Sequence, residues 1–232
     1  MDVGIMFSGG KDSTYAIYHA KQKGWNIRWL LSVKPTRTDC FLFHYAAVEH
    51  TPKIAEMLNI PHKLISCNVA DPQAEADLVK NTVLSMPKVD AVVFGGTGLQ
   101  LTQIGSVQKA LQPHKIEVFA AHAGLEHEDV MRQMLKDGFR FKIVQIASDG
   151  LTEKDLGKTL APEVMDEFVQ RSIKFGFHVG GEGGYYDTLC VDCPMFSKKV
   201  ELTEAKANME SHNVGHLIIK DLALVQKVVV KN

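Results

Sequence analysis

The stretch FSGGKDST, residues 7 to 14, brings two adjacent glycines, a lysine, an aspartate and flanking hydroxyls into one short run. It follows an apolar segment, Val3 to Phe7, that reads as a strand. It leads into STYAIYHAKQKG, where Ala16, Ile17 and Ala20 lie on one helical face. A strand-to-helix turn of this kind aims the N–H groups of Gly9, Gly10 and the first helical turn in one direction, and the helix dipole adds to them. The product is an anion site, with glycine letting the backbone approach a phosphate closely. Lys11 has the charge to neutralise that phosphate, Asp12 the carboxylate to hold a magnesium ion, and Ser8 and Ser13 the hydroxyls to donate hydrogen bonds. The spacing is not the G-x-x-x-x-G-K-[ST] of a Walker loop. A glycine-rich turn at a sheet edge, holding nothing, is the plain alternative.

Around this loop, the apolar runs VGIMF, IRWLLSV, HKLISCNV, DAVVFGG, IEVFAAH and FKIVQIAS alternate with helical patterns. That alternation predicts an α/β fold built on a doubly wound parallel sheet. Thr51 as N-cap and Pro52 as first helical residue open a helix whose Ile54, Met57 and Leu58 share a face before Pro61 stops it. HEDVMRQMLKDGF reads as another, acidic at its start and ended by Gly138. Beyond about residue 150 the rhythm becomes one helix, PEVMDEFVQRSIKFGF, a glycine cluster, then strands near TLCVD, KKVEL and HLIIKDLALV. This predicts a smaller α+β C-terminal domain. The boundary falls near residues 123 to 128, giving a nucleotide-binding domain over 1–125 and a substrate-binding domain over 126–232.

A chain of 232 residues, 45% hydrophobic, supports a sizeable core. With 26 basic against 27 acidic residues and no Lys/Arg block longer than a dipeptide, it advertises no extended nucleic-acid or membrane surface. No apolar run reaches the roughly 20 residues of a membrane span, and the start lacks the layout of a signal peptide. Its four cysteines, Cys40, Cys67, Cys190 and Cys193, are too few and too unevenly spaced for a disulfide framework, which fits a cytoplasmic protein.

The second stretch with chemistry in it is HVGGEGGYYDTLCVDCPMF, residues 178 to 196. Its glycines lay backbone against a ligand, and Glu182 and Asp187 are the carboxylates it offers. Cys190 and Cys193 form a C-x-x-C without a second pair at zinc spacing, and read as buried thiols on opposite faces of a regular strand.

SGGKDS resembles the signature of the PP-loop ATP pyrophosphatases, a HUP-like fold. The likeness implies that Ser8, Gly9, Gly10, Lys11, Asp12 and Ser13 bind the phosphates of ATP with Mg2+ at Asp12, the adenine lying near Ser32 and Val33. Residues 178 to 196 resemble the diphthine-ammonia ligase family, whose GEGG signature falls on Gly181, Glu182, Gly183, Gly184, Tyr186 and Thr188, with Asp192, Pro194 and Phe196 following. FLFHYAAVEHTPKIAEMLNIP and MLKDGFRFKIVQIASDGLTEKDLGKTL fit that family too. The resemblance implies adenylation of the diphthine carboxylate on translation elongation factor 2, then amidation by ammonium, with release of AMP and pyrophosphate. Lys11, Asp12 and Glu182 are the catalytic candidates, His44 a nucleotide contact, and the GEGG residues a substrate-binding loop.

Between the motifs the chain departs from the family. In LTQIGSVQKALQPHKIEVFAAHAG, Gln103 fits, but Ile104, Ser106 and Ala123 stand where arginines and a tryptophan are expected, and Ala121 replaces a proline. Tyr185 and Asp187 stand where the glycine motif carries glutamates. Lys109, His114 and Lys115 are candidates to replace the lost cations. Other acceptors stay open: a small carboxylate metabolite, a thiolated tRNA, or none, in a nucleotide sensor that binds ATP without turning it over.

Overall fold

The second strand shows why this sheet forms: Trp29, Leu30, Leu31, Ser32 and Val33 are buried in succession, as in a strand covered on both faces. The computed structural model describes residues 1–37, 47–96 and 101–227, with backbone alone for 101–103. His44 and Cys40 lie outside them.

The chain divides into two compact units, Met1–Leu125 and Glu126–Asn232. In the first, β1 (Asp2–Met6), β2 (Asn26–Pro35), β3 (His62–Cys67), β4 (Ala91–Phe94) and β5 (Glu117–Ala120) form one parallel sheet ordered β3-β2-β1-β4-β5. Helices α3 (Pro72–Leu84) and α4 (Leu101–Leu111) cover one face, where Ala76, Val79, Val83, Ile104 and Val107 pack on Met6, Trp29, Leu31 and Val92. Helix α1 (Lys11–Gln22) packs on β1, β2 and β4 through a buried face that includes Ala16, Ile17 and Ala20. The order reverses between β1 and β4, and in open α/β sheets such a switch point opens a crevice at the strands' carboxyl ends. FSGGKDST leaves β1 at that point.

Helix α2 (Thr51–Leu58) begins differently from the sequence expectation. Val48–His50 form a 3-10 turn that runs into it, so Thr51 is already helical and its hydroxyl donates back to the Val48 carbonyl at 2.7 Å. The helix ends at Leu58, with Asn59 left-handed as its cap.

The second unit holds α5 (His127–Lys136), α6 (Pro162–Phe175) and an antiparallel sheet. FKIVQIAS does not extend the parallel series: β6 (Arg140–Ala147) runs antiparallel between β8 (Tyr186–Asp192) on one edge and β7 (Thr159–Leu160) and β10 (Val214–Gln226) on the other. β9 (Lys198–Met209) pairs with β10. The half-buried Lys142 and Gln145 of β6 alternate with buried Phe141, Ile143 and Ile146, the pattern of an antiparallel strand with one face on the core. Asp155 is buried at the turn before β7, where it accepts from the Thr152 amide at 2.9 Å and from Arg171 at 2.6 Å. Among the described residues no helix is long and apolar enough to cross a membrane.

Candidate active site

The last rung between β1 and β2 is the Phe7 amide donating to the Leu31 carbonyl at 2.8 Å. There the chain leaves the sheet. Gly9 turns it at φ +79°, a conformation that favours glycine, and Gly10 is the extended N-cap of α1, which no side chain caps. The first-turn amides have no acceptors within the helix, and an anion in front of them supplies what is missing.

The two serines brace the loop. Ser13 Oγ accepts from the Ser8 amide at 3.2 Å, lies 3.0 Å from Ser8 Oγ and donates to the Gly10 carbonyl at 3.2 Å. Thr14 donates to the same carbonyl at 2.8 Å. Behind them is Gly95, just past β4, where a Cβ would come within 2.5 Å of the Ser13 nitrogen and 2.6 Å of the Asp12 carbonyl carbon. Only glycine lets β4 close on the loop this tightly. Lys11 is buried, its Nζ 2.7 Å from Asp12 Oδ2, while the Asp12 side chain stays 31% exposed.

Ser32 and Val33 occupy different positions relative to this loop. Ser32 is buried, and its hydroxyl donates to the Phe7 carbonyl at 2.5 Å and lies 2.8 Å from His62 Nε2, so its side chain anchors the root of the loop. Val33 points its side chain into the core under α3 and α4. Its backbone is another matter. Leu30 and Leu31 bond to the β3 and β1 sides in turn, and this alternation directs the Val33 N–H and C=O toward the side on which β1 has ended. That edge suits a flat heterocycle read by main-chain groups.

The cations proposed to replace the missing arginines lie elsewhere. Helix α4 runs from the carboxyl end of β4 back to the start of β5, which puts Lys109, His114 and Lys115 at the sheet edge opposite the loop. Ile104 is a core residue.

A residue that motif reading passed over lies next to the loop. The His122 amide donates to the Gly96 carbonyl at 3.0 Å, and the ring, 1% exposed, packs 5.1 Å from both Tyr15 and His19. Neither ring nitrogen makes a well-formed hydrogen bond among the described residues, although the Asp12 backbone lies within reach of the ring. Burial lowers its pKa to about 4, against the opposing pull of the Asp12 carboxylate. In the unfolded chain this histidine titrates near 6.5, so between these values the unfolded state binds more protons and native stability falls as pH drops. Urea unfolding should show a loss of about 3 kcal/mol between pH 7 and pH 4. H122F should flatten that slope.

In the second unit, His178 organises the glycine loop. Its Nδ1 accepts from the Gly180 and Glu182 amides, each at 3.2 Å, and its carbonyl accepts from Gly181 at 2.9 Å. His127 stacks edge-on against it at 4.1 Å. Gly181, at φ +73°, lies so close to β8 that a Cβ would come within 2.7 Å of the Tyr186 carbonyl oxygen. Tyr186 is buried and clamps the loop, its hydroxyl donating to the Val179 carbonyl at 2.5 Å. Thr188 is buried in β8. Gly183 and Gly184 continue the turn, Glu182 is half-buried, and Asp187 Oδ2 is buried with no partner among the described residues. H178A should release two amides, and faster hydrogen exchange at Gly180 and Glu182 would show it.

The cysteines are not on opposite faces. β8 ends at Asp192, the chain turns, and both Cys190 and Cys193 are buried. Burial pushes the Cys193 thiol up, but a hydrogen bond with Cys190, the Met195 and Phe196 amides and the Lys227 charge outweigh it and leave its pKa lowered.

Residues 1–125 match the diphthamide synthase N-terminal domain, and residues 126–225 match the diphthamide synthase C-terminal domain. The chain belongs to the diphthamide synthase family. A diphthine-ammonia ligase of Schizosaccharomyces pombe is 29% identical over 91% of this chain and 37% of its own length. Those of Mus musculus and Homo sapiens are 28% and 26% identical, each over 98% of this chain and 94% of its own length. This member of the diphthamide synthase family thus spans about a third of the yeast relative and nearly all of the two mammalian ones.

Proposed function

We propose that the chain is an AMP-forming ligase that adenylates the carboxylate of diphthine on translation elongation factor 2 and amidates it with ammonium. One observation carries the reading: an uncapped helix N-terminus behind SGGKDS at the sheet's switch point, in a chain matching both diphthamide synthase domains. The loop amides and Lys11 hold the pyrophosphate end of ATP, and the backbone of Val33 reads the adenine. An acceptor carboxylate oxygen attacks the α-phosphorus, the bond to pyrophosphate breaks, and ammonia then displaces AMP from the adenylate. Fixed donors on the leaving pyrophosphate stabilise the charge that develops as its bond breaks.

Mg2+ would neutralise the phosphate charge that develops, with Asp12 as its protein ligand. No cluster of three or more His, Cys, Asp or Glu side chains suited to a metal occurs among the described residues, so phosphate oxygens and water would complete its shell. Glu182, on the loop ordered by His178, acts on the acceptor or on the ammonium. Sulfur transfer to tRNA draws no support from two buried thiols turned toward each other.

Product analysis of ATP turnover with Mg2+ and ammonium, with and without diphthine-bearing elongation factor 2, tests this. AMP and pyrophosphate formed only with the factor, together with its amide, is the expected result. AMP without amidated factor points to a small carboxylate, and ATP binding with no turnover to a sensor.

A further inference from the structure

Phe7, one residue past β1, meets two different partners on β2. Its amide donates to the Leu31 carbonyl at 2.8 Å, so its own carbonyl faces β2 as well. In a parallel ladder the next rung would run from the Val33 amide to that carbonyl. The rung is missing. The Phe7 carbonyl accepts instead from the Ser32 hydroxyl at 2.5 Å, and the Val33 amide has no acceptor among the described residues.

His62, the first residue of β3, completes the arrangement. Its Nε2 lies 2.8 Å from Ser32 Oγ, and its ring packs edge-on against Phe7 at 6.4 Å. Ser32 has a single hydroxyl hydrogen and a carbonyl only accepts, so that hydrogen points at Phe7 and His62 is the donor to Ser32. Burial lowers the His62 pKa, which favours the neutral ring, and the neutral ring then carries its one N–H on Nε2.

We propose that Ser32, oriented by His62, is a positioning residue for the nucleotide: it draws the Phe7 carbonyl out of the ladder and so keeps the Val33 main chain open for the adenine. The inference rests on the ATP reading given above, in which the Val33 backbone reads the base. Ser32 is 1% exposed, so its hydroxyl acts through Phe7 and does not reach the ligand. Remove that hydroxyl, and the Phe7 carbonyl stands without a donor beside an amide without an acceptor. Leaving both unmade costs more than joining them, so the ladder would grow by one rung. That rung consumes the N–H the base needs. Adenine presents a ring-nitrogen acceptor beside an amino donor, and one open N–H with one open C=O match it.

The test uses the full chain with Mg2+ and two probes in equilibrium binding, ATP and inorganic tripolyphosphate. Tripolyphosphate has no base, so it separates the SGGKDS loop from the Val33 edge. S32A should weaken ATP about tenfold and leave tripolyphosphate within about twofold. Amide exchange followed by NMR gives a second readout: without nucleotide, the Val33 N–H should exchange faster in the wild-type protein than in S32A, where it joins the Phe7 carbonyl. H62F removes the donor to Ser32 and should fall between the two in ATP affinity, whereas H62Q, with an amide N–H able to replace it, should return to the wild-type value. Equal weakening of both probes by S32A makes Ser32 a brace of the loop alone and overturns the proposal. So does a Val33 amide that exchanges no faster in the wild type than in S32A. Should S32A lose its cooperative melting, the histidine variants decide: ATP binding lowered in H62F and restored in H62Q supports the proposal, and unmoved binding in H62F overturns it. A wild-type Val33 amide that bound ATP does not slow is a separate sign, which removes the adenine reading and this inference with it.

Discussion

D12A should lower AMP formation by about two to three orders of magnitude while changing the melting temperature little. The magnitude is that of removing one fixed electrostatic contributor to a charged transition state. Asp12 lies in the first turn of α1, its carboxylate 2.7 Å from Lys11 and 31% exposed, so its share of fold stability is that of a partly solvated ion pair, about 1 kcal/mol or less. On the proposed reading Lys11 still meets the phosphates when freed of its partner, so ATP affinity should fall far less than turnover. Equilibrium binding of ATP and chromatographic measurement of AMP separate the two. Unimpaired AMP formation would remove the assignment of FSGGKDST as the ATP loop. Loss of folding would show instead that the Lys11–Asp12 pair is structural.

The strand-to-helix turn of the loop is legible because its signals are local. Strand, glycines, lysine, aspartate and helix follow one another within residues 3 to 20, and all of the forces involved act over that distance. The parallel sheet was readable for the same reason, since each βα unit carries its own periodicity. Long-range contacts carry less of a sequence signal. Nothing in FKIVQIAS says that its neighbours will include β8 and β10, 40 to 52 and 67 to 71 residues on, because antiparallel partners leave no spacing rule across such distances. Thr51 has the composition of an N-cap, and only the preceding 3-10 turn moves it inside the helix.

Side chains with two plausible employments were the other difficulty. Ser32 and Tyr186 stand in motif positions, yet their hydroxyls hold the Phe7 and Val179 carbonyls and so shape the loops from behind. His178 opens the quoted glycine stretch but has no place in its signature. What makes it important is a ring nitrogen receiving two amides, which no spacing announces. His122 lies in a segment that departs from the family, AAHAG, and only its burial and the lack of a well-formed hydrogen bond at its ring nitrogens single it out.

Replacing Glu182 by glutamine should reduce amidation by about a hundredfold and leave ATP binding within about twofold. The variant keeps the side-chain volume, and the 182 amide still donates to His178, so the loop retains its shape and only a charge is lost. A carboxylate does not serve as the direct partner of the acceptor carboxylate, because two like charges at contact disfavour each other's ionised form. Two roles remain, holding the ring of the modified histidine or taking a proton from ammonium, and pH separates them. If Glu182 is the base, the defect shrinks as pH rises, because free ammonia then becomes abundant without it. If it holds the acceptor, the KM for elongation factor stays raised at every pH and the ammonium KM does not move. Equal loss of ATP binding and amidation would assign Glu182 to the fold, and full activity would exclude it from the chemistry.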